Sequence, residues 1–514
     1  MLCCLFDHLR KLSLSGSHAY FTHYNLKLEI KWTLTKSDHA AVILTLENRN
    51  KIKTKNEHIK LDNTIVTNAE LLQELRQYLE EQMTQTDDMN PHMRLEFAKM
   101  TIRTKAIEIN MRLKKKENNE LRDLNDQISR NSELLKTHTD ENRLNILTRE
   151  LEKCKRDRDT ILQRQGESLS MKAKTRWYNE GEKSNKYFLN LLKRNNVSSE
   201  TCELNINGTI TNNENEIRKG VTEFYTELYN NGNNVDIDND FLAEMFTVQQ
   251  HFQENIHAPI TLDEMWNTIK SIRATTPGPD GISNLYIKKL WHILGPIILD
   301  AWNYSIETNN LPPSHKISLL RLIPKKDKDT TLIKNWRPIT LSNCDHKLIT
   351  RLYNNRILKA IENEITSTQT AYIKGRNISD NLRLLGAAVK LAENEDDINA
   401  TIIALDAQKA FDSVNHNYIL ALLDKIGLHN FKPIFQLLYK DLRNDIIING
   451  KIGKGYSLGN GVKQGDALSC SLFILAMEPL LRNIMKNNTI TAIKSRTIDY
   501  TWPNLLDMPT MLLS

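Results

Sequence analysis

A chain of 514 residues, 40% of them hydrophobic, is long enough to bury cores of its own and too long for one ordinary domain. Its formal charge of +6 is unevenly spread: residues 91–196 hold 25 Lys/Arg against 16 Asp/Glu, which fits a polyanionic partner or a solvated helix face. Six cysteines with no Cys-x-x-Cys pair and no neighbouring His cluster argue against a zinc site and a disulfide framework, and no uninterrupted apolar stretch reads as a bilayer span.

Composition therefore predicts a soluble, intracellular protein in a reducing compartment, without a membrane partner. No targeting signal is visible, since RLKKKE (112–117) is too weak a basic run for a nuclear one. In chain order, residues 17–46 read as strands, FTHYNLKLEIKWTL and AVILTL bracketing the turn-like KSDH, a piece too short to own a core. From about 65 to 165, Leu121, Leu124 and Ile128, then Leu144, Leu147 and Leu151, recur at three-four spacing among charges. That spacing predicts long amphipathic helices, arranged as a helical hairpin. A sustained coiled coil is excluded because the apolar seam lapses between Leu135 and Leu144.

LNINGTITNN (204–213) carries an Asn-Gly hairpin signal, and a helix follows around Val221 to Leu228. The Asn/Asp-rich NNGNNVDIDND (230–240) reads as a linker at a domain boundary. After residue 255, helices alternate with the β-branched runs ISLLRLI, TIIALDA and DIIING, which predicts α+β or α/β architecture.

The second half also holds residues that suit phosphoryl transfer, which needs carboxylates for two metal ions, cations on a triphosphate and a surface for the incoming sugar and base. Asp406 ends the run TIIAL, where a carboxylate at a strand tip could hold a metal, though such an Asp also serves simply to form a turn. Phe411 follows it and could wall a ribose. In RLIPKKDKDTTLIKNWRPITLSN (321–343), Lys325 and Lys326 on one arm and Arg337 on the other suit a triphosphate or form a solvated basic hairpin. In GNGVKQGDALSCSLFILAMEPLL (459–481), Gly465 would admit close backbone approach and Gln464 a hydrogen bond; an ordinary glycine-rich loop before a core helix fits as well. In 174–195, Arg176, Lys183, Lys186, Lys193 and Arg194 interleave with Trp177, Tyr178, Tyr187 and Phe188, a mixture that can neutralise phosphates and stack bases.

Five stretches carry a resemblance in their order: TPGPDGISNLYIKKLW, the LIPKK to NWRPITLSN segment, TAYIKGRNISDNLRLL, ALDAQKAFDSVNH and GVKQGDALSCSLFILAMEPL. Together they resemble the fingers and palm of LINE-type (non-LTR) retrotransposon reverse transcriptases. Upstream, KTRWYNEGEKSNKYFLNLLKRN is similar to the basic segment before the polymerase of that family, and KSDHAAVIL to the last strand of its Mg²⁺-dependent endonuclease.

The resemblance implies an α+β right-hand polymerase in 255–514, with fingers and an incomplete palm and no thumb. It further implies a helical basic region in 51–240 and the C-terminal remnant of an endonuclease-like β-sandwich in 1–50. It assigns Asp406 as a catalytic Mg²⁺ ligand, Phe411 as the ribose gate, Lys325 and Arg337 as triphosphate cations, and Gln464 and Gly465 as nucleotide and template contacts. Arg376 joins Arg176, Lys183, Lys186, Lys193 and Arg194 as nucleic-acid contacts, and Asp38 and His39 match the terminal pair of the endonuclease. Asp412 falls to a structural role, and Ala467 stands where proline is usual. The implied partners are an RNA template, a DNA primer and dNTPs, in the nucleus and cytoplasm.

A group II intron maturase is the alternative enzyme, against which the SDH and EGEK stretches speak. A catalytically dead RNA-binding relic is the alternative of another class. The relic gains weight because no second acidic pair follows Gly459 in frame. Back-translation of Asp507 to Ser514 does allow Tyr-Ala-Asp-Asp-Val-Ala-Val one frame over, so the expectation is an inactive copy carrying a frameshift just before residue 507.

Overall fold

The computed structural model describes residues 24–31, 41–48, 57–137, 140–173, 203–206, 208–230, 237–273, 275–394, 401–405, 407, 409–487 and 489. Two compact units share the chain, one from Met1–Lys55 and Met111–Val197, the other from Asn56–Asn110 and Ser198–Ser514.

In the first unit, β1 (Tyr24–Lys31) and β2 (Ala41–Asn48) pair antiparallel, with Leu28 opposite Leu44, as the alternation at 17–46 predicts. The predicted long helices are present as the later part of the helix Pro91–Thr137 and the helix Glu141–Ala173. Ile128 and Leu147 from the two helices are buried, and the Cys154 thiol meets Gln127 at 3.3 Å.

The second unit is α+β. Its principal helices are α1 (Ala69–Met83), the first turns of α2 (Pro91–Thr137), α3 (Glu214–Asn230), α4 (Leu262–Ser271), α5 (Trp291–Thr308), α6 (Cys344–Ile361), α7 (Ile378–Asn394), α8 (His416–Lys425), α9 (Lys432–Tyr439) and α10 (Ala467–Lys486). Local chemistry sets their starts. Asn90 accepts from the Met93 N–H at 3.0 Å ahead of Pro91, and Asp466 accepts from Leu468 N–H at 3.1 Å. Ala467 thereby occupies the first helical position, where a proline or a good helix former serves equally.

The hairpin β3 (Leu204–Ile206) and β4 (Thr209–Thr211) forms where the Asn-Gly signal places it, with Gly208 at φ +88°. The main sheet has strand order β6-β5-β7-β8, built from β5 (Ile317–Pro324), β6 (Trp336–Leu341), β7 (Arg443–Ile448) and β8 (Lys451–Ser457). β5 runs antiparallel to β6 and parallel to β7, and the β7–β8 hairpin turns on Asn449-Gly450, both at positive φ. α3 packs on β8 and β7, while α6 packs between α4 and α10. Tyr225, Tyr229, Tyr286, Tyr353, Phe431 and Phe435 are the largest fully buried side chains.

α10 is long and apolar enough, by length and composition, to cross a membrane, which the opening reading of the sequence overlooks. Half of it lies buried inside this unit. Its fully buried Glu478 accepts from the Thr366 hydroxyl at 2.6 Å and Arg482 at 2.8 Å, so its apolarity is that of a core helix.

Residues 57–110 and 203–230, grouped by sequence with the helical extension, build this same unit. His58 bonds the Gly278 carbonyl at 2.8 Å, the Leu61 N–H donates to the Gly281 carbonyl at 3.0 Å, and the Tyr286 hydroxyl donates to the Asp62 carbonyl at 2.6 Å. Lys99 is buried between Asp280 at 2.9 Å and Asp345 at 2.8 Å, and Arg103 donates to the Pro279 and Asp280 carbonyls. The motif TPGPDG is thus a socket for the upstream helix. Gly278 has no room for a Cβ, which would stand 2.3 Å from the Asn343 side chain.

The run Thr401–Leu405 departs from its reading as a strand. It carries no regular structure, and Ile402, Ile403 and Leu405 are 64%, 76% and 79% exposed. A strand needs a neighbour to complete its ladder, and none of the described residues pairs with this one.

Candidate active site

Asp406 lies outside the described residues, as do Asp38, His39, Arg176, Lys183, Lys186, Lys193 and Arg194. Among the described residues no three His, Cys, Asp or Glu side chains come together that could hold a metal ion. What the structure does place is the nucleotide side of the expected site.

β5 and β6 form the two arms predicted from the basic hairpin. Arg337 sits on β6 opposite Ile323, and Lys325 follows β5, its N–H donating to the Asn335 carbonyl at 2.9 Å. Neither cation has an ion-pair partner among the described residues. Lys326 has only Asp327 beside it, at 3.9 Å, with both side chains exposed.

The loop 459–466 joins this hairpin to the turn that presents Phe411. On one side, the Thr340 N–H of β6 donates to the Gln464 carbonyl at 3.0 Å. On the other, the Val462 N–H donates to the Phe411 carbonyl and the Gly461 N–H to the Val414 carbonyl, both at 2.8 Å. Gly465, at φ +108°, is exposed, and a Cβ there would stand 3.0 Å from the Thr340 carbonyl. Only glycine turns the chain this way against the strand without strain. The loop that carries Gln464 and Gly465 is therefore bonded through its backbone both to β6, which carries Arg337, and to the Phe411 turn.

Beneath the loop, Lys463 and Asp466 are buried together, and burial pushes the Lys463 ammonium down to about 8 against the pull of Asp466. Phe411 is half-buried, stacked on Phe473 at 4.8 Å between centroids and met edge-on by Tyr372 at 6.5 Å. A rigid ring of this kind can wall a sugar.

Asp412, one residue on, takes the structural place expected of it. It is buried and accepts a hydrogen bond from the Tyr229 hydroxyl of α3. Burial pushes its carboxyl up to about 6, while the Tyr229 hydrogen bond and the Lys409 charge pull the other way. Ionising Asp412 therefore costs more in the folded chain than in the unfolded one. Stability present at low pH is lost as pH rises through about 6, an effect of about 2–3 kcal/mol. Asp412→Asn should accordingly melt higher than wild type at pH 8, with the advantage shrinking as pH falls toward 4; equal melting temperatures at pH 8 would contradict the assignment.

Arg376, expected to contact nucleic acid, is engaged within the chain. Its guanidinium donates to the carbonyls of Thr366, Gln369, Glu362 and Ile365 at 2.5, 2.8, 3.1 and 2.9 Å, closing the chain just beyond α6. Both terminal nitrogens of the fork are thus occupied by carbonyls. Sequence reading also missed Tyr229, Lys409 and Lys463. The tyrosines of FYTELYN at i and i+4 were a visible signal, whereas a lysine gives no sign of being buried.

The described residues thus tie a cationic two-stranded hairpin, a glycine loop and an aromatic turn together through backbone bonds. Comparison with known proteins supplies the class. Residues 323–499 match the family Reverse transcriptase (RNA-dependent DNA polymerase). A transposon TX1 protein of 149 kDa from Xenopus laevis is 28% identical over 342 residues, covering 65% of this chain and 26% of that protein. The Pol polyprotein of a type-1 retrotransposable element R2 from Nasonia vitripennis is 28% identical over 46% of this chain and 22% of its own length. The RNA-directed DNA polymerase from the mobile element jockey of Drosophila melanogaster is 25% identical over 42% and 24%. A reverse transcriptase domain is thus present over residues 323–499, the similar proteins are named from TX1, R2 and jockey elements, and the chain matches about a quarter of the length of these relatives.

Proposed function

We propose that the chain supplies the fingers and part of the palm of an RNA-directed DNA polymerase of a non-LTR retrotransposon, which extends a DNA 3′-OH on an RNA template with dNTPs. One observation supports the reading: loop 459–466 is bonded through its backbone to both Phe411 and β6, which suits a nucleotide held by the hairpin cations, the aromatic ring and Gln464. In this arrangement Arg337 clamps the triphosphate through a bidentate fork, Lys325 adds a point charge, and Phe411 lies against the sugar. Gln464 and Gly465 line the base and template.

Divalent metal suits the family, and Asp406 would contribute a carboxylate to Mg²⁺. When bound, the metal would offset charge on the attacking and leaving oxygens. The described residues alone do not form its site. Joining nucleotides also needs a second acidic pair, and the described residues hold no carboxylate cluster that could serve as one, so these residues are read as holding template and nucleotide without joining them. On the same reading β1 and β2, with Asp38 and His39, are an endonuclease remnant. Arg176, Lys183, Lys186, Lys193 and Arg194 contact RNA phosphates. An RNA-binding relic is the second reading, separated from the first by template-matched nucleotide binding.

The test uses the purified 514-residue chain, a DNA primer annealed to RNA, dNTPs and Mg²⁺. Template-matched dNTP binding without incorporation is expected. Incorporation would overturn the claim of inactivity, and loss of template-matched binding would overturn the polymerase reading in favour of the relic. Codons at 507–511 that cannot encode Tyr-Ala-Asp-Asp one frame over would remove the frameshift.

A further inference from the structure

The roles given to Lys325, Arg337, Phe411 and Gln464 leave the buried pair Tyr229 and Asp412 beside the site without a part. The turn 409–413 is held from three directions. The loop 459–462 bonds its backbone, Phe473 of α10 stacks on Phe411, and α3 reaches it with two side chains. Those two are Tyr229, which donates to Asp412, and Phe224, whose ring lies 4.1 Å beneath the Lys409 ammonium. Lys409 itself is left-handed at φ +54°, a conformation a lysine holds only when its surroundings impose it. Tyr229 is in turn fixed by stacking on Tyr456 of β8 at 5.2 Å, and Tyr456 on Tyr225 at 5.7 Å. Gly461 closes the fourth side, since a Cβ there would stand 2.6 Å from the Asp412 carbonyl and 2.8 Å from the Tyr229 ring.

A packing role alone would be met by apolar side chains. A buried carboxylate is instead a costly choice, tolerable where a directional bond is needed. Here the bond joins α3 to the turn next to Asp406.

We propose that Tyr229 is a positioning residue: by holding the Asp412 carboxylate it fixes the turn 409–413, and with it the Phe411 ring against which the incoming sugar lies. This rests on the nucleotide site described above. The groups facing Asp412 are Tyr229 and Tyr225 of α3, Tyr456 of β8 and Lys409 of its own turn; Lys409 also feels Lys325 and Glu227. The ionised carboxylate holds the tyrosine hydroxyl more strongly than the neutral acid does. Nucleotide binding therefore weakens as pH falls through the Asp412 titration, near 6. Without the Tyr229 donor that limb moves to higher pH, because the bond favours the charged form.

The experiment measures dNTP affinity of the full 514-residue chain on primed RNA from pH 5 to 8.5, for wild type, Tyr229→Phe and Asp412→Asn, together with hydrogen exchange of the Gly461 and Val462 amides. Tyr229→Phe should bind dNTP about tenfold more weakly at pH 7.5, the size of one lost hydrogen bond to a charged group, with its acid limb displaced upward. Asp412→Asn should lose the limb, and Tyr229→Phe should exchange both amides faster. Wild-type affinity and an unmoved limb in Tyr229→Phe would overturn the proposal. If wild type binds no dNTP, the nucleotide site fails separately and the exchange rates decide this inference: faster exchange in Tyr229→Phe upholds the tie to the turn, and unchanged exchange overturns it.

Discussion

Lys99→Met should cost about 3–5 kcal/mol of folding stability, the penalty for leaving a buried charge without its partner. Lys99 is 6% exposed, with its ammonium 2.9 Å from Asp280, 2.8 Å from Asp345 and 2.8 Å from the Ser314 hydroxyl. Burial alone would drive the ammonium to lose its proton, but Asp345, Asp280 and Glu96 outweigh it and hold the charge firmly. Methionine fills the same space and carries nothing to offset the carboxylates. His315, 3.0 Å from Asp345, is the remaining cationic candidate. Denaturant unfolding of the two chains checks this, and a loss below about 1 kcal/mol would show the pair to be solvated. Replacing Lys99, Asp280 and Asp345 together with apolar residues should recover much of the loss, since the desolvation cost disappears with the charges.

Arg337→Ala should weaken dNTP binding roughly 10- to 100-fold, the worth of a bidentate hydrogen bond to a charged group at about 1.5–3 kcal/mol. Arg337→Lys should recover part of it, keeping the charge and losing the fork. Because Arg337 has no ion-pair partner among the described residues, its removal should leave the melting temperature within the small range of surface substitutions. Titration of the primed template complex with dNTP reads the effect. Unchanged affinity in Arg337→Ala would remove this arm of the hairpin from the triphosphate. A large drop in melting temperature would assign it to the fold instead.

The sequence displayed those features whose signal is local. Alternating β-branched residues marked β5 and β7, Asn207-Gly208 marked the first hairpin, and leucine spacing marked the long helices. The candidate site residues were proposed for the same reason: Lys325, Arg337, Phe411, Gln464 and Gly465 each lie in a short motif with its own turn chemistry. What stayed hidden depends on partners far away in the chain. Nothing in LEFAKMTIRTKA distinguishes Lys99 from a solvated lysine, because its carboxylates are at 280 and 345. TIIAL has every mark of a strand, yet strand formation is decided by a neighbour that no described residue provides. Arg376 looked free because sequence cannot show a side chain curling back onto four carbonyls. The extension at 57–110 read as separate because a lapse in composition, not a packing surface, marks a boundary in one dimension.

The bond from Lys99 to Asp345 spans 246 residues, which sets a delay when the chain is made. At about 5–20 residues per second, the ribosome needs roughly 12–50 s to deliver Asp345 after Lys99 has emerged. Through that interval the apolar face of α2, with Leu95, Ala98, Ile102 and Ala106, lacks the later elements of the core it belongs to. The nascent chain therefore carries its first helices without their socket until TPGPDG and Asp345 have been made.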